Sequence, residues 1–276
     1  MFTVIIPTCH RNDLLSHCLD CLAPGKQTLA AENYEVIVSD DGSASTALEL
    51  IEKHYPWAKW LEGPKRGPAA NRNHGAKHAR GEWLVFTDDD CIPGCALLQS
   101  YADATAITKV EVLEGKTSPI GKRRRVDMEC PANEAGGYLW SCNMAVLKGL
   151  FFKMDGFDEN FPGAAMEDVD FHTRLLKAKT PIAFVPEALV LHPWRDRKRT
   201  RQIEIEISST IYYLQKHPEE RGKYSLSNLG LGLARRLLSH LPRAAMHCKG
   251  RGWIRESLFS IYSTWTLFQA VKSSKL

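Results

Sequence analysis

The sequence has little of what marks a secreted, membrane-spanning or disordered chain. Eight cysteines among 276 residues are too sparse for a disulfide scaffold, so we expect free thiols in a reducing compartment. The longest stretch without a charged residue, Ser257–Val271, has 15 residues, whereas a bilayer-spanning helix needs about 20. Residues Phe2–Pro7 have the pattern of a strand rather than of a secretory signal. We therefore expect a globular, cytoplasmic protein.

Charges of both signs are present in nearly equal numbers, but they are unevenly distributed. The formal net charge is +4, from 36 Lys and Arg against 32 Asp and Glu. From Arg221 to Leu276 there are ten basic residues and one acid, a net charge of +9, which leaves −5 for residues 1–220. This asymmetry predicts a mildly acidic main domain, residues 1–220, followed by a basic helical tail, residues 221–276.

Short apolar runs alternate with segments of helical periodicity through the first 90 residues. Such runs, separated by helices, are typical of parallel strands that are covered on both faces. The sequence therefore predicts an α/β fold with a mainly parallel sheet, in which ligands bind beyond the carboxyl ends of the strands. The predicted strands are Thr3–Ile6, Tyr34–Ser39, Ala58–Leu61 and Trp83–Thr87, and the predicted helices are Asn12–Leu22, Ser45–His54 and Ala69–Ala79.

The pattern is less regular after Cys91. Proline, glycine and the basic run Lys122–Arg125 predict a long loop over Gly115–Gly136. The basic run is typical of a solvated surface, and contact with an anionic substrate is the alternative. The other predicted elements are helices over Cys95–Thr105 and Arg199–Lys216 and strands over Lys109–Leu113, Ala183–Val185 and Leu189–His192.

Two acidic clusters follow predicted strands. Asp40 and Asp41 precede a glycine turn, where capping of the next helix is the simple alternative to ligand binding. Asp88, Asp89 and Asp90 end another strand, and three adjacent carboxylates repel one another unless a cation compensates them. Oxygen ligands favour Mg²⁺ or Mn²⁺. The second cluster therefore predicts a divalent metal site, with a plain acidic turn as the alternative.

Two further segments bring charged groups to the starts of predicted helices. Arg72 lies in a segment that also carries Lys65 and Arg66, and a helix N-terminus with such cations nearby attracts phosphate. Glu167 and Asp168 open another helix, and one of these carboxylates could serve as a general base. Stabilisation of the helix dipole by the two acids is the alternative.

These segments form part of a set of six short motifs. The motifs are Pro7-Thr8, Ser39-Asp40-Asp41-Gly42-Ser43, Asn71-Arg72-Asn73, Phe86-Thr87-Asp88-Asp89-Asp90, Gly156-Phe157-Asp158-Glu159 and Glu167-Asp168-Val169-Asp170. Their order resembles that of family 2 glycosyltransferases, and the similarity covers about residues 2–195. The resemblance implies a GT-A fold, a nucleotide-sugar donor, a divalent metal and inversion at the anomeric carbon. It also implies a nucleotide-binding half, residues 1–110, and an acceptor and catalytic half, residues 111–220.

The resemblance also implies a role for each motif. Asp168 is the first choice for the catalytic base and Glu167 the second. Asp90 would hold the metal, with Asp88 and His192 as further ligands. Asp40 or Asp41 would bind the nucleobase, Arg72 the base and diphosphate, and Asp88 or Asp89 the ribose. The full set predicted to bind the nucleotide sugar is Pro7, Thr8, Arg11, Asp40, Asp41, Arg72, Asp88 and Asp89.

The resulting hypothesis is a Mn²⁺- or Mg²⁺-dependent glycosyltransferase with a UDP-sugar donor favoured. The resemblance suggests a glycan or lipid-linked acceptor in surface polysaccharide or lipopolysaccharide synthesis. The alternatives are a sugar-phosphate nucleotidyltransferase, whose glycine-rich loop is missing after the first strand, and a catalytically silent nucleotide-sugar-binding protein. The basic, aromatic tail predicts peripheral binding to the inner face of the plasma membrane, with self-packing or a homodimer as alternatives. No recognition motif indicates nucleic acid.

Overall fold

The computed structural model describes residues 1–196 and 200–273, apart from the side chains of residues 200–202. The chain divides into two compact units. The first comprises Met1–Ile120, Pro131–Asn160 and Glu167–Pro193, and the second comprises Gly121–Cys130, Phe161–Met166 and the chain from Trp194 onward. The candidate functional residues discussed below all belong to the first unit, whereas nearly all of the basic tail belongs to the second.

Eight strands of the first unit form one sheet. Strands β1 to β10 are Phe2–Thr8, Tyr34–Asp40, Lys59–Glu62, Trp83–Thr87, Ile92–Pro93, Val112–Pro119, Met128–Glu129, Asn143–Leu147, Ile182–His192 and Arg195–Asp196. The order in the sheet is β3-β2-β1-β4-β8-β6-β9-β5. Strands β3, β2, β1 and β4 are parallel, β8 is antiparallel to both β4 and β6, and β6 is parallel to β9. The predicted α/β architecture is confirmed.

Helices α1 to α10 connect and follow these strands. They are Asn12–Leu22, Leu48–His54, Pro68–Lys77, Leu97–Ile107, Lys148–Lys153, Glu167–Lys177, Thr200–Lys216, Leu226–Arg235, Leu241–His247 and Trp253–Ser273. None of the described helices is both long enough and apolar enough to cross a bilayer. The helix predicted from Arg199 begins at Thr200, and Arg199 itself lies outside the described residues.

Both faces of the sheet are buried, as the short apolar strands predict. On one face, Val4 and Ile6 of β1 pack with Leu15 and Leu19 of α1. On the other face, Ile5 belongs to a second apolar cluster that also contains Ala76 of α3. Helix α3 approaches β1 so closely that a Cβ atom at Gly75 would lie 2.6 Å from Cγ2 of Ile5. This close approach explains a glycine inside a helix, where it otherwise lowers stability.

The prediction was wrong in part for two segments between residues 115 and 192. The loop predicted over Gly115–Gly136 begins as a strand, because β6 continues to Pro119 through its pairing with β9. The two strands predicted over 183–192 are one strand, β9, with a register shift that leaves Pro186–Ala188 outside the regular pairing. Ladder hydrogen bonds between distant segments outweigh the local turn signals of glycine and proline here.

The basic run Lys122–Arg125 lies in the second unit and is partly used in local structure. The Arg123 guanidinium donates to the backbone carbonyls of Val126 and Met128 and lies 5.5 Å from the Trp194 ring. Arg125 forms ion pairs with Asp127 and Asp196. These contacts favour a structural role for both arginines over contact with an anionic substrate.

Candidate active site

The carboxyl ends of parallel strands β1, β2 and β4 lie side by side, so the polar residues that follow them meet at one edge of the sheet. Pro7 and Thr8 are buried at the end of β1, and Asp40 is buried at the end of β2. The three carboxylates Asp88–Asp90 follow β4 directly. Helix α6 brings Glu167 and Asp168 to the same region.

Arg72 lies between two of the predicted functional carboxylates. Its Nη2 donates to Oδ1 of Asp88 at 2.6 Å, and its Nη1 donates to Oε1 of Glu167 at 3.1 Å. The Arg72 and Glu167 side chains are almost fully buried, whereas that of Asp88 stays partly exposed. Arg72 therefore joins the candidate metal-binding motif to the candidate base motif, a contact that no spacing in the sequence indicates.

The neighbouring acids Glu167 and Asp168 differ in accessibility. Glu167 is buried, and Asp168 is partly exposed beside Ser141, whose amide and hydroxyl lie 3.3 and 3.4 Å from its Oδ2. Burial raises the pKa of both carboxyls above their ordinary values, and the Arg72 charge opposes this rise. A raised pKa makes a carboxylate a stronger base, so the accessible Asp168 fits the role of a general base.

Asp89 points away from the accessible surface. Its Oδ2 accepts hydrogen bonds from Oγ1 of Thr8 at 2.8 Å and from Nε of Arg11 at 3.1 Å. Burial raises the pKa of Asp89 to about 6 despite the Arg11 charge. The contacts of Asp89 with Thr8 and Arg11 connect the segment after β4 to the end of β1. Of the two acids predicted for the ribose, Asp88 is the exposed one.

Asp90, Cys91 and His192 form a buried group whose ligand atoms all lie within 4.8 Å of one another. Nε2 of His192 lies 3.4 Å from Oδ1 of Asp90, and Nδ1 of His192 lies 2.9 Å from the carbonyl oxygen of Pro193. A carbonyl partner on Nδ1 directs the Nε2 lone pair toward a metal. Burial raises the pKa of the Cys91 thiol well above its usual range, and a thiol is a poor ligand for hard cations such as Mg²⁺. The carboxylate suits Mn²⁺ or Mg²⁺, whereas the imidazole suits a transition metal better than Mg²⁺, so the pair favours Mn²⁺ of the two.

Asp40 and Asp41 both bind backbone amides. Oδ1 of Asp40 accepts from the Gly42 amide, and Oδ2 accepts from the Ala47 amide and the Trp60 indole. Both carboxylate oxygens of Asp40 are therefore occupied. Asp41 accepts from the amides of Lys65 and Gly67 and remains the more exposed acid. Backbone amides occupy both oxygens of each acid, which agrees with the capping and turn alternative, and only its greater exposure favours Asp41 over Asp40 for a ligand.

Asn73 links the Asn71-Arg72-Asn73 motif to the Gly156-Phe157-Asp158-Glu159 motif. Its side chain exchanges hydrogen bonds with the backbone of Phe157, accepting at 3.0 Å and donating at 2.7 Å. Gly156 has a φ of 61°, and a Cβ atom there would lie 2.7 Å from the Asn73 carbonyl oxygen. The glycine is therefore required by both conformation and space. Two motifs that are distant in sequence form one supporting layer beneath Arg72.

Sequence reasoning missed Glu114 and the loop that it organises. The buried Glu114 carboxylate accepts from the amides of Gly137, Tyr138 and Leu139 and from the Asn133 side chain. The loop presents the Tyr138 ring stacked on that of Trp140, at 5.3 Å between centroids and 7° between planes. The only local signal is an acid directly after the apolar pair Val112-Leu113, and the partners of Glu114 lie about 20 residues away.

The chain is similar to known glycosyltransferases in part of its sequence. The family model described as glycosyl transferase family 2 matches residues 3–103. Validoxylamine A glucosyltransferase of Streptomyces hygroscopicus subsp. limoneus is 25% identical over 260 residues, which cover 79% of this chain and 57% of that protein. The chain thus spans about three fifths of the length of the validoxylamine A glucosyltransferases that it matches.

Two further proteins are similar in structure. TarS of Staphylococcus aureus, a poly(ribitol-phosphate) beta-N-acetylglucosaminyltransferase, is 34% identical over 93 residues, 32% of this chain and 16% of that protein. The crystal structure of TarS 1-349 with UDP-GlcNAc has a TM-score of 0.60 at 17% identity, covering 99% of this chain and 91% of that one. The mannosyltransferase PcManGT of Pyrobaculum calidifontis, in complex with GDP-Man and Mn²⁺, has a TM-score of 0.55 at 20% identity, covering 98% and 84%. The GT-A fold and the resemblance to family 2 glycosyltransferases are confirmed.

Proposed function

Because the chain has a GT-A fold and resembles family 2 glycosyltransferases, we propose that it transfers a sugar from a nucleotide sugar to an acceptor hydroxyl with inversion. The observation that carries the proposal is the buried Arg72, which joins Asp88 to Glu167 directly beside the accessible Asp168. A donor-binding acid and a candidate base are thereby held at one edge of the sheet, as a displacement at an anomeric carbon requires.

The donor is proposed to be a UDP-sugar. The partly exposed carboxylate of Asp88 is suited to ribose hydroxyls, and Asp41 is suited to a nucleobase amide. The UDP-GlcNAc complex of TarS supports uridine, whereas the GDP-Man complex of PcManGT makes guanosine the alternative. Lys65 and Arg66 lie before the start of α3 and add positive charge near the N-terminus of that helix, where a phosphate is stabilised.

Asp90 and His192 are proposed to hold Mn²⁺ or Mg²⁺, with Asp88 as a further candidate ligand. A divalent ion in such a site neutralises charge on the leaving diphosphate. The Nδ1 contact of His192 with the Pro193 carbonyl fixes the imidazole for this role. The Mn²⁺ complex of PcManGT agrees with this choice of metal. Nη1 of Arg11 lies 3.4 Å from Oδ2 of Asp90, the carboxylate oxygen that does not face His192.

Asp168 is proposed to accept the proton of the attacking hydroxyl. Its Oδ1 accepts the Val169 amide, which fixes the carboxylate at the start of α6, and its Oδ2 faces Ser141 at a longer distance. Glu167 is the second candidate, but its Oε1 is engaged by Arg72 and its side chain is buried. Glu167 thus fits a positioning role, in which it orients Arg72 toward Asp88.

The acceptor is proposed to be a glycan or polyol in a cytoplasmic step of surface polysaccharide synthesis. The loop that carries Ser141 also carries the stacked Tyr138 and Trp140 rings, and exposed aromatic faces suit the apolar face of a sugar ring. The name of TarS, which includes poly(ribitol-phosphate), supports a phosphate-linked polymer acceptor. The eight cysteines are free thiols, which agrees with a reducing compartment.

Release of nucleoside diphosphate from a panel of UDP-, GDP- and dTDP-sugars, with and without Mn²⁺, tests the proposal. We expect metal-dependent release from one class of donor, faster with a matching acceptor. A matched control is the Cys91→Ala variant, since a soft thiol is not proposed as a ligand for these hard cations. Absence of release from every donor, with or without metal, would contradict the proposal.

Two alternatives have distinct outcomes in the same assay. A sugar-phosphate nucleotidyltransferase would release pyrophosphate from a nucleoside triphosphate and a sugar phosphate, and would leave nucleotide sugars intact. A catalytically silent protein would bind nucleotide sugars without releasing nucleotide. The pair Glu167 and Asp168 disfavours a silent protein, because carboxyls whose pKa values are raised by burial cluster at functional sites.

A further inference from the structure

Helix α10 presents its apolar side chains outward. Ile254, Leu258, Ile261 and Trp265 are between 46% and 69% exposed. They are spaced by four, three and four residues, which places them within roughly 60° of arc on one face of a helix with 3.6 residues per turn. We call these four residues the α10 stripe. Apolar residues at this spacing normally face a protein core.

The opposite face of the same helix is polar and buried. Glu256 and Ser260 are at most 3% exposed, and the Glu256 carboxylate forms an ion pair with Arg236. The usual arrangement of an amphipathic helix is therefore inverted within this unit. Burying an acid while exposing four large apolar side chains is unfavourable in water unless another surface covers the stripe.

Exposed apolar residues are concentrated in this part of the chain. Among the described residues, ten of the seventeen large exposed apolar side chains fall within residues 226–265. Leu226, Leu231, Leu238 and Met246 add to those of α10. Single exposed apolar residues are ordinary, but a concentration of this kind marks an interaction surface.

The charge of the same segment determines which partner fits. Residues 221–276 carry a net charge of +9. Arg243, Lys249 and Arg251 are exposed, and no carboxylate in the described part of the chain pairs with them. A second copy of the chain would bring two such tails together and would be repelled. An anionic lipid surface attracts each basic residue and accepts apolar side chains between its headgroups.

From the stripe, the inverted polarity and the charge together, we infer that α10 lies in the interface of an anionic membrane with the α10 stripe buried among the lipids. Trp265 is suited to this position, because an indole ring prefers the level of the headgroups. The polar face of α10 stays against its own unit through Glu256 and Arg236. Peripheral membrane binding of this type would bring the protein to a lipid-linked acceptor.

Sedimentation of the full-length protein with vesicles tests the inference. One set of vesicles contains phosphatidylcholine alone, and the other contains phosphatidylcholine mixed with phosphatidylglycerol. We expect binding to the mixed vesicles to exceed binding to phosphatidylcholine by at least about tenfold, and to weaken as salt is added. Equal binding to both vesicles, or no binding to either, would overturn the inference.

The variant for this test is Leu258→Ser with Ile261→Ser, and the matched control is Ile107→Ser with Leu176→Ser. The control residues are at least as exposed on average but lie in the first unit. We expect the stripe variant to lose about tenfold in vesicle binding and the control variant to bind like wild type. A thermal melt establishes that both variants are folded, since exposed substitutions change stability little.

Light scattering without vesicles tests whether a second copy of the chain, rather than lipid, covers the α10 stripe. A monomer that binds anionic vesicles supports the inference. A dimer that the Leu258→Ser, Ile261→Ser variant converts to a monomer would show that a second copy covers the stripe, and would overturn it. Unchanged vesicle binding in the stripe variant would equally overturn it, because the basic residues alone would then account for the binding.

Discussion

Replacing Arg72 by methionine should have one of the largest effects on stability of any single substitution in the first unit. The guanidinium is buried between Asp88 at 2.6 Å and Glu167 at 3.1 Å, and lies 5.8 Å from the Phe157 ring. Removing one partner of a buried ion pair costs about 3–5 kcal/mol, because the remaining charges are left uncompensated. Typical domains have about 5–15 kcal/mol of stability in total, so much of the margin would be lost.

The measurement is the free energy of unfolding from urea denaturation of wild type, Arg72→Met and the control Arg66→Met. Arg66 also pairs with a carboxylate, that of Glu159 at 2.8 Å, but its side chain is largely exposed. An exposed pair contributes about 0–1 kcal/mol, so the control should resemble wild type. Arg72→Lys should be intermediate, because an ammonium group cannot donate to both acids with the geometry of a guanidinium.

A double variant tests the cause of the loss. If the uncompensated Glu167 charge is responsible, adding Glu167→Gln to Arg72→Met should recover about 1 kcal/mol or more. A cost for Arg72→Met no larger than that for Arg66→Met would refute the description of Arg72 as the buried link between the two motifs. Full loss without recovery in the double variant would indicate that the packing of Arg72 on Phe157 outweighs its charge.

Three further predictions follow from the site. Asp90→Asn or His192→Ala should abolish the rise in melting temperature that Mn²⁺ with UDP gives the wild type, while Cys91→Ala retains it; retention in all three would exclude this metal site. The folded-state pKa values of Glu167 and Asp168 lie above their unfolded values, so the folded protein binds these protons more tightly, and the contribution of the two acids to the unfolding free energy should be lost as pH rises from about 4 toward neutrality. Glu167→Gln should flatten this dependence in urea titrations at several pH values, and a rise over the same range would contradict the assignment. Tyr138→Ala should raise the acceptor KM about tenfold with unchanged hydrolysis of donor, whereas a matching loss of hydrolysis would place Tyr138 at the donor.

The regular half of the fold could be predicted from local pattern. Helix α1 has the predicted bounds, Asn12–Leu22, because its buried residues recur at helical spacing and nothing distant overrides them. Strand β4 has its predicted bounds for a similar reason. By contrast, β6 continues to Pro119 only because β9 pairs with it, and the sequence gives no sign of a partner about 70 residues away.

The candidate site shows the same division between local and distant signals. The acidic motifs could be located from their positions at strand ends, and the structure brings Asp88, Asp90, Glu167 and His192 to one edge of the sheet. Their individual partners could not be predicted, because Arg72 reaches Glu167 across 95 positions and Thr8 reaches Asp89 across 81. Such contacts depend on how α3 and β1 pack, which no local pattern encodes. The residue roles and the boundary at residue 220 stay predictions.

Asp168 provides the most direct test of the proposed chemistry. Donor binding is measured by calorimetry and nucleotide release by a coupled assay, for wild type and Asp168→Asn with Mn²⁺ and the preferred nucleotide sugar. The amide keeps the shape of the side chain but cannot accept a proton, so we predict an unchanged Kd and a release rate lower by about 10²–10⁴-fold. Wild-type release by Asp168→Asn, or no binding of any nucleotide sugar by the wild type, would contradict the account.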